Sequence, residues 1–447
     1  MESGNYHVAV IGAGPAGIFA SRELAQNGIK VLLFNRDIKP GGLAEYGIYP
    51  DKHRMKAGLR NQFESIINLE NVTYFGNVTI GTNGLLSLDD LRNLGVDALC
   101  ITTGAQGTKW LGITGEDLSG VYHAKDLVYH YNSLPPFSTQ EFPIGRNVAI
   151  IGVGNVMMDI ARYLITERQV ETVTAIARRG PGEMKFTKKE LEYIGQNLDT
   201  ADFLRELEQA TPLMKSLGQD PSITQKFVDD ALKNTDIKLS ETILRFRFLL
   251  SIKCILGDEH GKVTGLALEK NTLVNDGGWI RSKGLGTRVQ MNIDTVIFAI
   301  GDAVDPGFGL PVDRNEFVKN AQPRFAVNDV SFECFDSINS KAIEDVFLAG
   351  WARKASNGLV GTARKEGVHV AQAIMEYLKT VPAKNKKDTA EIEKQIRNLD
   401  VHIIDKNDLQ TLKEEEERIA TSRNIPSFKF STNAEMLSVI EQKKILI

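Results

Sequence analysis

The stretch His7-Val-Ala-Val-Ile-Gly-Ala-Gly-Pro-Ala-Gly17 decides the fold. A short β-branched, apolar run stops abruptly on glycines, the pattern of a buried parallel strand. A helical stretch follows from about Pro15 to Gln26, Asn27-Gly28 breaks it, and Lys30–Phe34 reads as a second strand. Strand, helix and strand within about 30 residues make a βαβ unit. In that setting Gly12, Gly14 and Gly17, with Pro15 and Ala16 between them, form a dinucleotide fingerprint. Gly12 permits the tight turn, Gly14 lets the backbone approach a diphosphate, and Gly17 lets helix and strand pack closely. The head of the helix then offers free N–H groups to the phosphates. Without the flanking strands the same glycine spacing would mean little.

The pattern recurs. Asn147–Ile151 is a strand, Gly152-Val-Gly154-Asn155-Val156 a second turn, Val156–Glu167 a helix and Thr172–Ala177 another strand. Its third small position is Met157, where Gly or Ala is usual. After the second strand of the first unit the acid that normally meets a ribose is Asn35, followed by Arg36; an amide oxygen still accepts from a hydroxyl. At the matching place in the second unit stand Arg178 and Arg179. Two guanidiniums suit a 2′-phosphate, which selects NADP over NAD; the plainer alternative is a surface pair at a strand end.

Two more apolar strands close on glycine, Ala98–Gly104 and Thr295–Gly301, as expected where a chain crosses between nucleotide domains. A last strand, Val346–Gly350, precedes a glycine-rich turn and a helix from about Thr362 to Lys379. Lysine-rich residues 383–388 read as a linker, and Lys413–Arg418 as a solvated helix face. The fold class is therefore α/β, with two Rossmann-like, three-layer dinucleotide-binding domains.

The 447 residues suffice for two or three domains, and 42% hydrophobic with 25% charged residues is a globular composition. A net charge of −4 leaves no basic excess to follow a phosphate backbone, so nucleic acid is not an expected partner. Cys100, Cys254 and Cys334 are dispersed, which excludes the ligand spacing of a cluster, a zinc ribbon or a redox dithiol. They fit buried thiols of a reducing compartment. No apolar run approaches the roughly 18–20 residues that span a bilayer, and no leader precedes the first strand. Cytoplasmic location and no membrane contact are the expectations.

Beyond the glycines, several blocks are specific: GGLAEYGIYPDKHRMK at 41–56, GNVMMDIAR at 154–162, RRGPGEMKFTKKEL at 178–191 and GWARKASNGLVGT at 350–362. Through them the chain resembles adrenodoxin reductase and the related bacterial NADPH–ferredoxin reductases, within the glutathione-reductase-like flavoproteins. The resemblance runs nearly end to end. It implies an FAD domain built from 1–105 and 345–447, including a tail at 384–447, with an NADP domain at 106–344 inserted. The implied cofactors are FAD and NADP(H), and the implied reaction sends electrons from NADPH through FAD to a ferredoxin or similar small carrier. Monomer or weak oligomer is expected.

Carried over by position, Gly12, Gly14 and Gly17 hold the FAD diphosphate. Trp351, Gly358, Leu359 and Val360 lie along the isoalloxazine, and Asn155 with Val156 meets the NADP diphosphate. Arg178 and Arg179 take the 2′-phosphate, and Glu190 sits at the nicotinamide end with Asp159. Gly42, Leu43, Gly47, Gly104, Ala105, Gly350 and Gly361 complete the cofactor contacts. Where the family has Pro-Asp-His, this chain has Pro50-Asp51-Lys52, with His53 one place later. A lysine there stabilises negative charge on the flavin but is no proton shuttle at neutral pH. The family's Gly-Pro-Thr is Ala355-Ser356-Asn357. Of the family's acceptor-docking arginines only Arg247 is kept, and one position is Glu192. The alternatives are an NADPH-dependent flavin reductase of an organic substrate, a flavin subunit like the small subunit of glutamate synthase, and a nucleotide-binding redox sensor. The glutamate-synthase subunit family normally carries a cysteine-rich cluster domain that this sequence lacks. Disulfide reduction is set aside because no thiol pair is available.

Overall fold

The computed structural model describes residues 6–235, 237–356, 358–383 and 388–445. Most of the linker expected at 383–388 lies outside them. The chain divides into two compact units. One runs up to Lys109, takes in Tyr129–Thr139 and resumes from Gly301; the other holds Trp110–Val128 and Gln140–Ile300.

The first unit is built on a six-stranded sheet. Its order is Glu333–Asp336, Lys341–Leu348, Ala98–Ile101, His7–Ile11, Lys30–Phe34 and Val72–Phe75. All neighbours are parallel except the first pair. Because side chains alternate along a strand, Val8 and Val10 enter one apolar cluster with Phe19, Phe63 and Ile374. Ala9 and Ile11 enter another, with Leu91, Ile392 and Ile396. The sheet is thus covered on both faces, as three layers require. The strand His7–Ile11 lies between Lys30–Phe34 on one side and Ala98–Ile101 on the other, so its C-terminal end is a topological switch point.

The expected end of the insertion at 344 is too late. Residues from Gly301 belong to the first unit, because Glu333–Asp336 hydrogen-bonds the sheet strand Lys341–Leu348 and Asp302–Ala303 pairs with Gly107–Thr108. The tail also belongs there. Gly76 bridges Ile404, the Lys406 ammonium donates to Leu69 O at 3.0 Å, and Lys413 pairs with Glu64 at 2.7 Å.

The second unit repeats the plan with a five-stranded parallel sheet in the order Val121–His123, Thr295–Phe298, Asn147–Ile151, Thr172–Ile176 and Ile243–Arg247. A three-stranded antiparallel sheet of Leu250–Gly257, Val263–Asp276 and Trp279–Asn292 is added to it. The helix after the second turn spans Asn155–Tyr163 and continues as a π turn over Leu164–Arg168.

Candidate functional site

In the first unit, Gly12 turns the chain at φ +110°, and a Cβ there would lie 2.5 Å from Thr102 O. A Cβ on Gly17 would lie 2.0 Å from Gly12 O. Neither position admits a side chain. Gly14 is different: nothing lies within 4 Å of its Cβ direction, and it caps the helix Pro15–Gln26 without a side-chain bond. The helix head is therefore an open row of N–H donors beside an unobstructed backbone, the arrangement a diphosphate needs.

Other expected residues gather around this turn. Gly42 faces Gly14, its Cβ direction ending 3.1 Å from Gly14 Cα, and Gly41 N donates to Ala13 O at 2.7 Å. Gly350, at φ +64°, leaves only 2.8 Å between a Cβ and Ala16 Cβ, which brings Trp351 to the same helix head. The Thr102 hydroxyl donates to Ile11 O and Gly12 O, at 3.0 and 2.8 Å, and so ties in the segment that leads to Gly104 and buried Ala105. Asn35 departs from expectation. Its amide oxygen accepts from Ala13 N at 3.1 Å, and its NH2 donates to Asp37 O and Lys39 O. It braces the phosphate loop. Arg36, half exposed, reaches Asp37 and Gln106 at 3.0 and 3.1 Å.

A second uncapped helix head belongs to Val360–Leu378. Leu359 before it is 74% exposed, and Gly361 has open space beside it. An apolar side chain in water next to free N–H groups matches a surface that a flavin ring covers. Ser356 accepts from Asp302 N at 2.8 Å, whereas Asn357 lies outside the described residues. Lys52 caps the helix His53–Ile67, and His53 Nδ1 stands 3.4 Å from the Ser427 hydroxyl. The helical turn Leu43–Tyr46 ends at Gly47, where a Cβ would lie 2.7 Å from Leu43 O.

Next to these residues lies a buried charge cluster that sequence reasoning missed. Arg60 grips the Glu45 carboxylate with two bonds of 2.6 and 2.7 Å, and Lys429 from the tail adds a third at 2.7 Å. Burial acts to raise the Glu45 carboxyl, but Lys429 and Arg60 outweigh it and hold the group well below the usual range. Lys56 donates to Asn132 Oδ1 and Ile48 O, at 2.7 and 2.9 Å; burial lowers its pKa to about 7. Lys429, also desolvated, falls to about 8. Glu416 pairs with Lys39 at 2.5 Å and accepts from Phe430 N. Hence the run Lys413–Arg418 is not a purely solvated face: Glu416 turns inward. Nothing in the spacing of these charges marks them as partners, since the tail lies some hundreds of residues from Glu45.

The second turn repeats the first. Gly152 has φ +127° and would place a Cβ 2.4 Å from Ala299 O, whereas Gly154 is open and caps its helix without a side chain. Val156 is 43% exposed at that head. Asn155 Oδ1 accepts from Thr187 N at 2.9 Å, which anchors the short helix carrying Glu190. Asp159 is partly buried one turn farther along.

The parallel register Ile151↔Ile176 puts Arg178 and Arg179 at the same sheet end as the Gly152 turn. Neither guanidinium has an ion-pair partner among the described residues. With Trp279, Ile280, Arg281 and Ser282 they line a cavity of about 440 Å3. Two uncompensated guanidiniums with no carboxylate between them fit a phosphate, not a ribose diol.

Arg247 and Glu192 are occupied differently. The Arg247 guanidinium is bonded to Asp202 at 2.5 and 3.2 Å, and Glu192 holds Lys189 and Asn234 at 3.1 Å each. All three cysteines are free; burial raises the Cys100 thiol, and takes that of Cys334 to about 12. No helix among the described residues is long and apolar enough to cross a membrane.

Residues 6–197 match the pyridine nucleotide-disulphide oxidoreductase family. The chain is 30% identical over 390 residues to the mitochondrial NADPH:adrenodoxin oxidoreductase of Arabidopsis thaliana, covering 80% of this chain and 79% of that one. It is 28% identical over 405 residues to NADPH-ferredoxin reductase FprA of Mycobacterium leprae, covering 83% and 84%. The structure of Mycobacterium tuberculosis FprA in complex with NADPH superposes with a TM-score of 0.81 at 24% identity, over 98% of this chain and 99% of that one, and shows the same fold. With two glycine turns at two switch points and this likeness along most of its length, the chain belongs to the NADPH:adrenodoxin/ferredoxin oxidoreductase family.

Proposed function

We propose that the protein passes electrons from NADPH through bound FAD to a ferredoxin-type one-electron carrier. Bound FAD supplies the chemistry, taking a hydride as an electron pair and releasing electrons singly. The chain supplies binding and placement. Gly12, Gly14 and Gly17 seat the FAD diphosphate at the helix head, and Trp351 with Gly358–Gly361 lines the ring. Lys52 sets a positive charge near it, and His53 stands beside Lys52. In the second unit Gly152, Gly154, Asn155 and Val156 seat the NADPH diphosphate, while Asp159 and Glu190 orient the nicotinamide amide. Arg178 and Arg179 hold the 2′-phosphate, which places binding energy away from the reacting atoms.

The observation that carries this reading is the unpaired arginine pair beside the open Gly154 turn. The three free thiols support work in a reducing, cytosol-like compartment. The test is an anaerobic titration of the FAD-loaded protein with NADPH and with NADH, followed by turnover with ferricyanide and with ferredoxin. Bleaching of the flavin band at stoichiometric NADPH, with NADH needed in large excess, is expected. A folded preparation that cannot be reconstituted with flavin would falsify the reading. One observation favours a second reading, reduction of an organic substrate: Arg247 is locked to Asp202 and Glu192 stands where a docking arginine would. Fast ferricyanide turnover without ferredoxin turnover decides for it.

A further inference from the structure

The cavity beside Arg178 and Arg179 has a second wall that the nucleotide turn does not explain. Strands Val263–Asp276 and Trp279–Asn292 form a long hairpin, turned by Gly277 and Gly278 at φ +58° and +89°. Its middle is fixed next to the arginines: buried Asn271 donates from its side chain to Arg178 O at 2.9 Å and to Ser251 Oγ at 2.8 Å, and its N–H donates to Leu249 O at 2.7 Å. The hairpin end is thereby held over the arginine pair. Alternation along the strand puts Trp279 and Arg281 on one face. The Trp279 indole is 76% exposed, and Arg281 is bonded across the hairpin to Asp276 at 3.0 Å. Isolated exposed aromatics are ordinary. This one borders a cavity with three guanidiniums, and about 440 Å3 falls within the range of roughly 300–1,000 Å3 for small-molecule sites. An aromatic face takes a purine, and a three-to-one excess of arginine over carboxylate takes a phosphate dianion.

We propose that Trp279 and Arg281 complete the adenosine end of the NADPH site: the indole stacks on the adenine, and the Arg281 guanidinium joins Arg178 and Arg179 around the 2′-phosphate. The inference rests on the reading of Arg178 and Arg179 as 2′-phosphate ligands. It makes the hairpin a determinant of nucleotide choice, although it lies about a hundred residues beyond the arginine pair in sequence.

The experiment is calorimetric titration of the FAD-loaded protein with 2′,5′-ADP, alongside tryptophan emission, for the wild type and Trp279→Ala, Trp279→Phe, Arg281→Gln and Arg178→Ala. Trp279→Ala and Arg281→Gln should each raise Kd about ten-fold. Trp279→Phe should bind within about three-fold of the wild type and lose the emission change seen on saturation, a signature that a merely structural role of Trp279 would not give. Wild-type affinity in both Trp279→Ala and Arg281→Gln, with weakened binding in Arg178→Ala, overturns the inference and leaves the NADPH reading standing. Wild-type affinity in Arg178→Ala as well overturns both.

Discussion

The two glycine turns share their first two positions and part at the third. Gly12 and Gly152 both turn at positive φ against a carbonyl of a neighbouring segment, and Gly14 and Gly154 both face open space. At the third position Gly17 is pressed on Gly12 O, whereas Met157 carries a full side chain that is completely buried. Since a Cβ cannot approach a carbonyl to 2.0 Å, the second helix must stand farther from its turn than the first. The first turn is also overlaid by Gly42, Gly350 and the helix Val360–Leu378, where Gly367 would put a Cβ 2.4 Å from Ala16 O. Its follow-on residue, Asn35, is a neutral brace; that of the second is a pair of free guanidiniums. The first turn is hemmed in by glycine backbone and the second presents charge, the difference expected if one seats a resident cofactor and the other a ligand that comes and goes.

The largest effect should come from reversing that difference at the crowded turn. Gly17→Ala forces a Cβ against Gly12 O and the Thr102 hydroxyl, so either the helix head or the strand end moves. Overpacking of this kind costs ~3 kcal/mol or more, and the displaced turn no longer fits a diphosphate. The protein should purify with little flavin and unfold at lower urea; retained flavin and an unchanged midpoint break the comparison. Gly154→Ala, into open space, should leave the free energy of unfolding in urea within ~0.5 kcal/mol of the wild type and weaken only NADPH.

Met157→Ala probes the other side. Removing a fully buried methionine leaves a cavity and costs ~2–4 kcal/mol. If Met157 only fills the space between helix and sheet, KM for NADPH at a temperature where the variant is folded should stay within about two-fold. A large KM change would mean that the helix head, not the side-chain volume, had been set by Met157.

Both turns were legible in the sequence because their signals are local: apolar runs, glycine spacing and the Arg178-Arg179 pair all fall within a βαβ unit. The end of the insertion was not, because Glu333–Asp336 joins its sheet through Lys341–Leu348, a non-local pairing that strand propensity does not reveal. The departure at Asn35 is legible in the sequence and its use is not, since bracing a loop depends on where Ala13, Asp37 and Lys39 come in space. The hairpin with Trp279 carries no motif; its place beside the arginines depends on Asn271, a single buried amide.

A smaller effect is expected at the arginines themselves, where folding is not at stake. Arg178 is exposed and unpaired among the described residues, so Arg178→Ala should leave stability unchanged within ~0.5 kcal/mol. Losing one charge-assisted bond of ~1.5–3 kcal/mol should raise KM for NADPH about 10- to 100-fold, with kcat nearly constant. An equal fall in kcat would put Arg178 in the transition state instead of the remote binding of the nucleotide.

The smallest effect separates the two units by pH. The first unit buries Glu45 and Lys56 and partly buries Lys429, whereas the charges at the second turn are an exposed and a half-buried arginine. Lys56 has a folded pKa of about 7 against an ordinary 10.5, so between these values the unfolded chain binds more protons. Its stabilising contribution is complete above pH 10.5 and is lost as pH falls through about 7; Lys429 acts likewise from about 8. Glu45, lowered, gives stability that is complete above pH 4.5 and is lost on further acidification. Between pH 7 and 9 the wild type should therefore gain stability against urea. Lys56→Met, which cannot take up the proton, should show a flatter profile over that interval. Affinity for 2′,5′-ADP should keep one value over the same range in both proteins, because above the phosphate pKa near 6 the ligand keeps its charge. An identical stability slope in the variant would show that the buried ammonium at Asn132 is not what sets the alkaline limb, and would move that role to Lys429.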